Sequence, residues 1–187
     1  MERAGRELFA EHGFTAVPAE QLVAVAGVTR GALQYHYADK RGLFVAVLEQ
    51  LEWENTQEIA AAMAAAPNPD DLLDTLAIGL RTFLDICCRP EMIQIALSDA
   101  PAVLGWQAWR EFEARNGLGL LTPQLEAARA AGQIPDVQVN ILAQLLLSAA
   151  TEAGMLVAHA PDPAAARDDA LQALMTVIAG TLRPREA

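Results

Sequence analysis

The sequence predicts an all-α fold of about nine helices, a short three-helix N-terminal unit followed by a larger helical domain. Three observations carry that prediction. Apolar residues recur at three- and four-residue spacing almost throughout, and no stretch keeps the period of two that a half-buried strand needs. Helix start and stop signals (a capping Thr or Asp, a proline in a first turn, a glycine at an end) punctuate the chain at helix-length intervals. Hydrophobic residues make up 53% of the 187 positions, enough to bury at least one full core.

The elements follow in order. Residues 2–12 read as a helix stopped by Gly13. Pro18 suits the first turn of a second helix, buried through Leu22, Val25 and Ala26 and broken at Gly27. Thr29 can cap a third helix, about 29–36, with Leu33 and Tyr37 turned inward. Asp39 caps a long fourth helix whose Leu43, Phe44, Val47, Leu48 and Leu51 share a face, fading into the alanines before Pro67. Asn68-Pro69-Asp70-Asp71 starts a fifth, and Pro90 and Pro101 bracket a short one. Gly117, Gly119 and Pro123 are expected to kink or divide the next segment. Residues 136–159 are apolar on most sides, with Asn140, Gln144, Ser148 and Glu152 on a narrow ridge; residues 163–182 form the last helix. A helix apolar on most sides needs more than one neighbour, so part of its cover is expected from a second subunit. The domain limits expected are 1–46 and 47–187.

The net charge is −11, which taken alone argues against a polyanionic partner. Its distribution matters more. Residues 1–45 carry five basic and five acidic side chains and are neutral, so all the excess acid lies beyond them. Any contact with nucleic acid is expected there. Two adjacent cysteines, Cys87 and Cys88, give no disulfide framework and suit a reducing cytoplasm. Glu2, Arg3, Arg6 and Glu7 interrupt any apolar leader, and Ile141–Ala150 is too short to span a bilayer, so no membrane partner is expected.

Residues 18–37 read as helix, glycine-containing turn, helix. The second helix of such a pair can enter a major groove with its N-terminal residues at the base edges. Those residues are Thr29, Arg30, Gly31, Ala32 and Gln34. Gly31 and Ala32 allow close approach, Gln34 can bind adenine with two hydrogen bonds, and Arg30 can bind guanine or phosphate. Tyr35, His36 and Lys40 are expected at phosphates, as are the free N–H groups of the helix starting near residue 39.

Residues 8–44 also resemble the N-terminal domain of the TetR/AcrR family. Three blocks carry the likeness in the family's order and spacing: Leu8-Phe9-x3-Gly13-Phe14, the run AGVTRGALQYHY at 26–37, and Ala38-Asp39-Lys40-x2-Leu43-Phe44. The resemblance implies an Ω-shaped homodimer, an N-terminal DNA-binding domain, a C-terminal ligand pocket, and release of DNA on effector binding. Val17-Pro18 stands where the family usually places a capping Thr or Ser. Gln34 stands where an aromatic is common.

From these residues the chain is expected to be a ligand-responsive regulator, most simply a repressor, that binds palindromic double-stranded operator DNA as a homodimer. The alternative is a helical ligand- or protein-binding module that has lost DNA binding. The effector is expected to be a largely apolar small molecule. Its apolar contacts are assigned to Phe83, Cys87, Met92, Ile95, Trp106, Trp109 and Phe112, and its polar contacts to Asn116, Gln144, Ser148, Thr151 and Glu152. Each of these also has an ordinary core or surface reading. The dimer interface is assigned to Leu145, Ala149, Leu156, Leu171, Leu174, Met175, Ile178 and Leu182. The sequence holds no nucleophile–base–orienter set, no phosphate-binding glycine loop after a strand and no metal-ligand cluster, so neither an enzyme nor a cofactor is expected.

Overall fold

The computed structural model describes residues 1–68 and 71–180; the interface candidate Leu182 lies outside them. The described residues are all-α, as expected, with no strand. The elements are α1 (Glu2–Ala16), α2 (Ala19–Ala26), α3 (Arg30–Tyr37), α4 (Lys40–Ala64), α5 (Leu72–Cys87), α6 (Ala100–Leu104), α7 (Trp106–Ala130), α8 (Val139–Ala158) and α9 (Pro163–Ala179). A π-helical run, Met92–Asp99, leads into α6. The residues gather into two compact units. One takes in residues 1–54 and 89–110; the other takes in residues 55–88 and those from 111 onward. α4 and α7 each supply residues to both.

The first unit is built on a phenylalanine triad. Phe9, Phe14 and Phe44 meet with ring centroids 5.1 to 5.9 Å apart, two of the three pairs edge-on. Leu8, Leu22, Leu33, Leu43 and Leu48 are buried with them. Gly13 takes a positive φ of 75°, as a helix stop should, yet one more turn follows it. Tertiary contacts hold that turn: the Phe14 N–H donates to Asp99 Oδ2 at 2.6 Å, and its ring belongs to the triad.

The turn signals at α2 and α3 behave as their chemistry requires. Pro18 precedes α2 with no side-chain cap, the consequence of lacking a Thr or Ser there. Gly27, at φ 67°, ends α2 with Val28 N–H bonded back to the Val23 carbonyl at 3.0 Å. Thr29 Oγ1 accepts from Ala32 N–H at 3.2 Å and opens α3. The α3–α4 junction is tighter. Ala38 adopts φ 65° and ψ −49°, and Asp39 N–H donates to the Tyr37 carbonyl at 2.8 Å, closing a three-residue γ-turn. The Tyr37 oxygen then lies only 1.8 Å from where a Cβ on Gly42 would stand.

The second unit packs α5 against α8 and α9. Asp71 Oδ1 caps α5 by accepting from Leu73 N–H at 2.9 Å, and Leu72, Leu76, Leu80, Leu84 and Cys87 form its buried stripe. Where α8 meets α5, a Cβ on Gly154 would stand 2.9 Å from Cys87 Sγ and 3.1 Å from the Phe83 ring, so only glycine permits that spacing. Asp162 caps α9, and Arg167 reaches Asp85 of α5 at 2.5 Å. Residues 117–123 do not divide the segment: α7 runs as one helix through Pro123. A proline ring strains against the carbonyl four residues back. Here that carbonyl belongs to Gly119, an exposed position whose Cβ site meets nothing within 4 Å, so the backbone can give locally. The 20-residue α8 has a mean hydropathy of 1.6 and is long and apolar enough to cross a membrane, but it is 39% buried against its neighbours in this unit.

Candidate functional site

α3 presents a continuous exposed face. Thr29, Arg30, Gly31, Gln34, Tyr35 and His36 are all exposed and Ala32 is half-buried; Tyr35 is the extreme at 85%. Leu33, buried on the opposite side, anchors the helix, and Tyr37 Oη donates to Glu2 Oε1 of α1 at 2.8 Å. Burial and then that hydrogen bond raise the Tyr37 hydroxyl above its ordinary pKa, so it stays a donor at neutral pH. Tyr35 and His36 rings pack edge-on at 5.0 Å. Such a surface, small at its centre and polar at its rim, matches what a groove-entering helix needs.

Two residues differ from their expected placement. Lys40 is turned inward. Its ammonium donates to the Phe14 and Val17 carbonyls, each at 2.9 Å, and sits 4.1 Å above the Phe14 ring. It closes the C-terminal end of α1 instead of reaching outward as a phosphate contact would. Arg30 donates to Glu20 Oε1 of α2 at 2.8 Å in an exposed pair, so its guanidinium is already oriented along the α2 side of the face. At the start of α4, the Asp39 carboxylate accepts Gly42 N–H at 2.8 Å, which occupies one of the donors expected to meet phosphate.

Behind this face, residues far apart in sequence hold α1. Arg6 donates through Nε and Nη2 to the two carboxylate oxygens of Glu91, at 2.7 and 2.9 Å, and through Nη1 to Glu54 Oε2 at 2.6 Å. Arg41 Nε donates to the Val103 carbonyl at 3.1 Å. With the Phe14–Asp99 bond, these contacts fasten the N-terminal helices to the 89–104 segment along its length. The Glu91 bonds, set against partial burial, hold the Arg6 pKa well above its usual value. Hydrogen bonds from Gln50 and then Arg6 hold Glu54 below the usual carboxylate range.

The residues expected to bind an effector fall in both units. Met92, Ile95 and Trp109 are buried in the first unit, and Trp106 packs on Trp109 at 5.1 Å while remaining 65% exposed. Phe83, Cys87, Phe112, Asn116, Gln144, Ser148, Thr151 and Glu152 belong to the second. There Asn116 and Ser148 donate to the Phe112 and Gln144 carbonyls one turn back, as polar residues in helices commonly do, and Glu152 is exposed. Cys87 is buried, and burial pushes the Cys88 thiol above its ordinary pKa.

A cavity lies elsewhere in that unit. About 230 Å³ opens between α4, α5 and α7, walled by Ala60, Met63, Ala64, Thr75, Gly119, Leu120, Pro123 and Gln124. None of these is among the ligand contacts expected from sequence. The cavity's one visible trace there is Gly119-x3-Pro123, read as a helix break.

The interface candidates divide by burial. Leu145 and Leu156 are exposed at 63% and 62%, joined by Ile141 and Val177, with Ala149 and Met175 half-buried. Leu171, Leu174 and Ile178 instead pack into the core; Leu174 and Ile178 close, with Leu76, Leu80 and Leu146, around a void of about 20 Å³. They hold α9 against α5 and α8.

Comparison with known proteins agrees with this architecture. Residues 3–47 match the family described as bacterial regulatory proteins, tetR family, and residues 73–181 match the tetracyclin repressor-like C-terminal domain. A curated relative, the HTH-type transcriptional repressor AcnR of Corynebacterium glutamicum, is 32% identical over 71 residues, 38% of this chain and 34% of that protein. The match thus spans about a third of that relative's length. A TetR-family regulator from Pectobacterium atrosepticum superposes with a TM-score of 0.83 at 28% identity, covering 98% of this chain and 93% of the other. One from Syntrophomonas wolfei gives 0.75 at 17% identity over 96% and 93%, a likeness of fold. With the C-terminal family match alone covering more than half of its length, the chain belongs to the TetR family of transcriptional regulators.

Proposed function

We propose that this regulator is a cytoplasmic homodimeric repressor that binds a palindromic operator through two copies of α3 and leaves it when a small-molecule effector binds. The observation that carries the reading is the exposed face of α3, where Thr29, Arg30, Gly31, Gln34 and Tyr35 lie open to solvent while Leu33 anchors the helix. Dimerisation is assigned to α8 and α9, where Ile141, Leu145, Leu156 and Val177 lie bare. Two-fold symmetry then sets the α3 copies one helical turn of DNA apart.

An effector held by the second unit acts on the first through the elements that supply both, α4 and α7. Its binding favours a setting of α4 in which the paired α3 helices no longer match the groove spacing. The coupling is reciprocal, so operator DNA weakens effector binding by the same factor. A 100-fold change corresponds to about 2.7 kcal/mol.

The test is binding of the full chain to duplex DNA by fluorescence anisotropy across a salt series. Wild type should bind with affinity that falls steeply as salt rises, and Tyr35→Ala should weaken it at least tenfold. Lys40→Met should lower thermal stability yet leave the salt slope unchanged. Absence of salt-dependent binding to any duplex would favour instead a helical module that has lost DNA recognition.

A further inference from the structure

We propose that the cavity between α4, α5 and α7 is the effector site and that it takes an uncharged, mainly hydrocarbon molecule with a single hydroxyl or carbonyl, received by Thr75. The proposal deepens the effector-responsive reading and rests on it.

The walls decide the class. Ala60, Met63, Ala64, Leu120 and Pro123 are apolar, Gln124 is polar but uncharged, and among the described residues no ionisable side chain lines the space. A carboxylate or ammonium entering it would give up part of its hydration with no counter-charge in return. Thr75 and Gln124 supply the polar exceptions, and of the two only Thr75 is buried. It is only 3% exposed, and its Oγ1 is buried without a hydrogen-bond partner. A helical threonine can bond back to the carbonyl one turn earlier. Here that carbonyl, on Asp71, takes the Thr75 N–H at 3.0 Å, and the hydroxyl does not join it. A buried hydroxyl with no partner is uncommon and calls for an explanation, which a ligand group in the adjoining cavity would supply. A second acceptor stands on the wall: Gly119 has no N–H opposite its carbonyl in the helical ladder, because residue 123 is proline.

Size narrows the class further. An apolar cavity of about 150 Å³ in another protein takes up benzene. At about 230 Å³, this one suits one ring with a short substituent, or a chain of comparable bulk. Met63 can adjust the fit. Its unbranched thioether is adaptable, and it lies so close to α5 that a Cβ on Gly79 would stand 2.9 Å from its sulfur.

Three probes of similar size separate the terms: 1-phenylethanol; cumene, which replaces the hydroxyl by methyl; and benzoate, which is charged. Calorimetric titration of the full chain should show 1-phenylethanol binding at least tenfold more tightly than benzoate. Thr75→Val should lose most of the 1-phenylethanol affinity, leave cumene unchanged and not lower the melting temperature. Ala64 is an exposed wall position, so Ala64→Leu should fill the space and abolish binding of both neutral probes without unfolding the chain. Equal binding of benzoate and 1-phenylethanol, indifference of 1-phenylethanol to Thr75→Val, or no binding of any probe overturns the proposal. The regulatory half is read separately. Binding of 1-phenylethanol without release of bound DNA overturns the effector role while the ligand class stands. Release that persists in Ala64→Leu overturns this site and leaves the effector-responsive reading intact.

Discussion

Arg6 and Glu91, 85 residues apart, meet in a two-bond guanidinium–carboxylate pair at 2.7 and 2.9 Å, with Glu54 on the remaining nitrogen at 2.6 Å. The paired side chains of Arg6 and Glu91 are about seven-tenths buried, which gives the fork more weight than a surface pair. Arg6→Ala should therefore destabilise the protein by about 1–3 kcal/mol, measured by chemical denaturation. Arg6→Lys should recover less than half, because an ammonium cannot reproduce the two parallel bonds. The pH dependence has a definite sign. Glu54 is held below its unfolded pKa, so its contribution is present above the ordinary glutamate range and is lost as pH falls through the lowered value. Glu54→Gln should flatten the acid limb of the stability curve. An unchanged acid limb would remove Glu54 from the clamp.

The α3–α4 turn makes an independent prediction. Ala38 sits at positive φ in a region that only glycine visits without strain, a strain of order 1–3 kcal/mol. Ala38→Gly should raise stability by up to about 1 kcal/mol, after the extra entropy of glycine in the unfolded chain is subtracted. Gly42→Ala should do the reverse and by more, since its methyl meets the Tyr37 carbonyl oxygen. Thermal melts of the two single variants distinguish the signs.

The interface prediction follows from burial on α8. Leu145→Glu with Leu156→Glu should give a folded monomer by sedimentation, because both positions are exposed in the protomer. Leu171→Asp with Ile178→Asp should unfold the protein instead, since both side chains are core. A folded dimer from the first pair places the interface elsewhere.

Glu20 is expected to shape recognition without touching a base. Its carboxylate holds the Arg30 guanidinium at 2.8 Å, and in a complex it would stand near phosphates. Glu20→Gln should tighten binding to arbitrary duplex DNA several-fold by removing a repulsive charge, and narrow the gap between preferred and random sequence. A uniform gain on all sequences, with that gap unchanged, would mean that Glu20 contributes only charge.

Much of the fold was legible because its signals are local. Thr29, Asp39, Asp71 and Asp162 cap helices within three residues of themselves, and Gly27 needs only its own φ. The exposed face of α3 was legible for the same reason: the spacing of Leu33 and Tyr37 settles which side is buried. What escaped was set by distant partners. Nothing near Lys40 reveals that its ammonium will close α1, and nothing near Arg6 reveals Glu91. The aromatic cluster expected to bind an effector was judged by residue type alone. The cavity proposed as the effector site is marked by small residues, by one threonine hydroxyl without a partner and by a proline that α7 absorbs beside Gly119. Leu174 and Ile178 show the same limit, since an apolar stripe on the last helix serves the core and an interface equally well in sequence.

Selection of duplexes from a random library by the full-length protein tests the central claim most directly. The account predicts enrichment of a two-fold symmetric sequence with half-sites one helical turn apart, about 10 base pairs. It also predicts that Arg30→Ala and Gln34→Ala each relax the preference at one position of each half-site. Enrichment of no sequence, or of an asymmetric one whose preferences neither substitution alters, would contradict it.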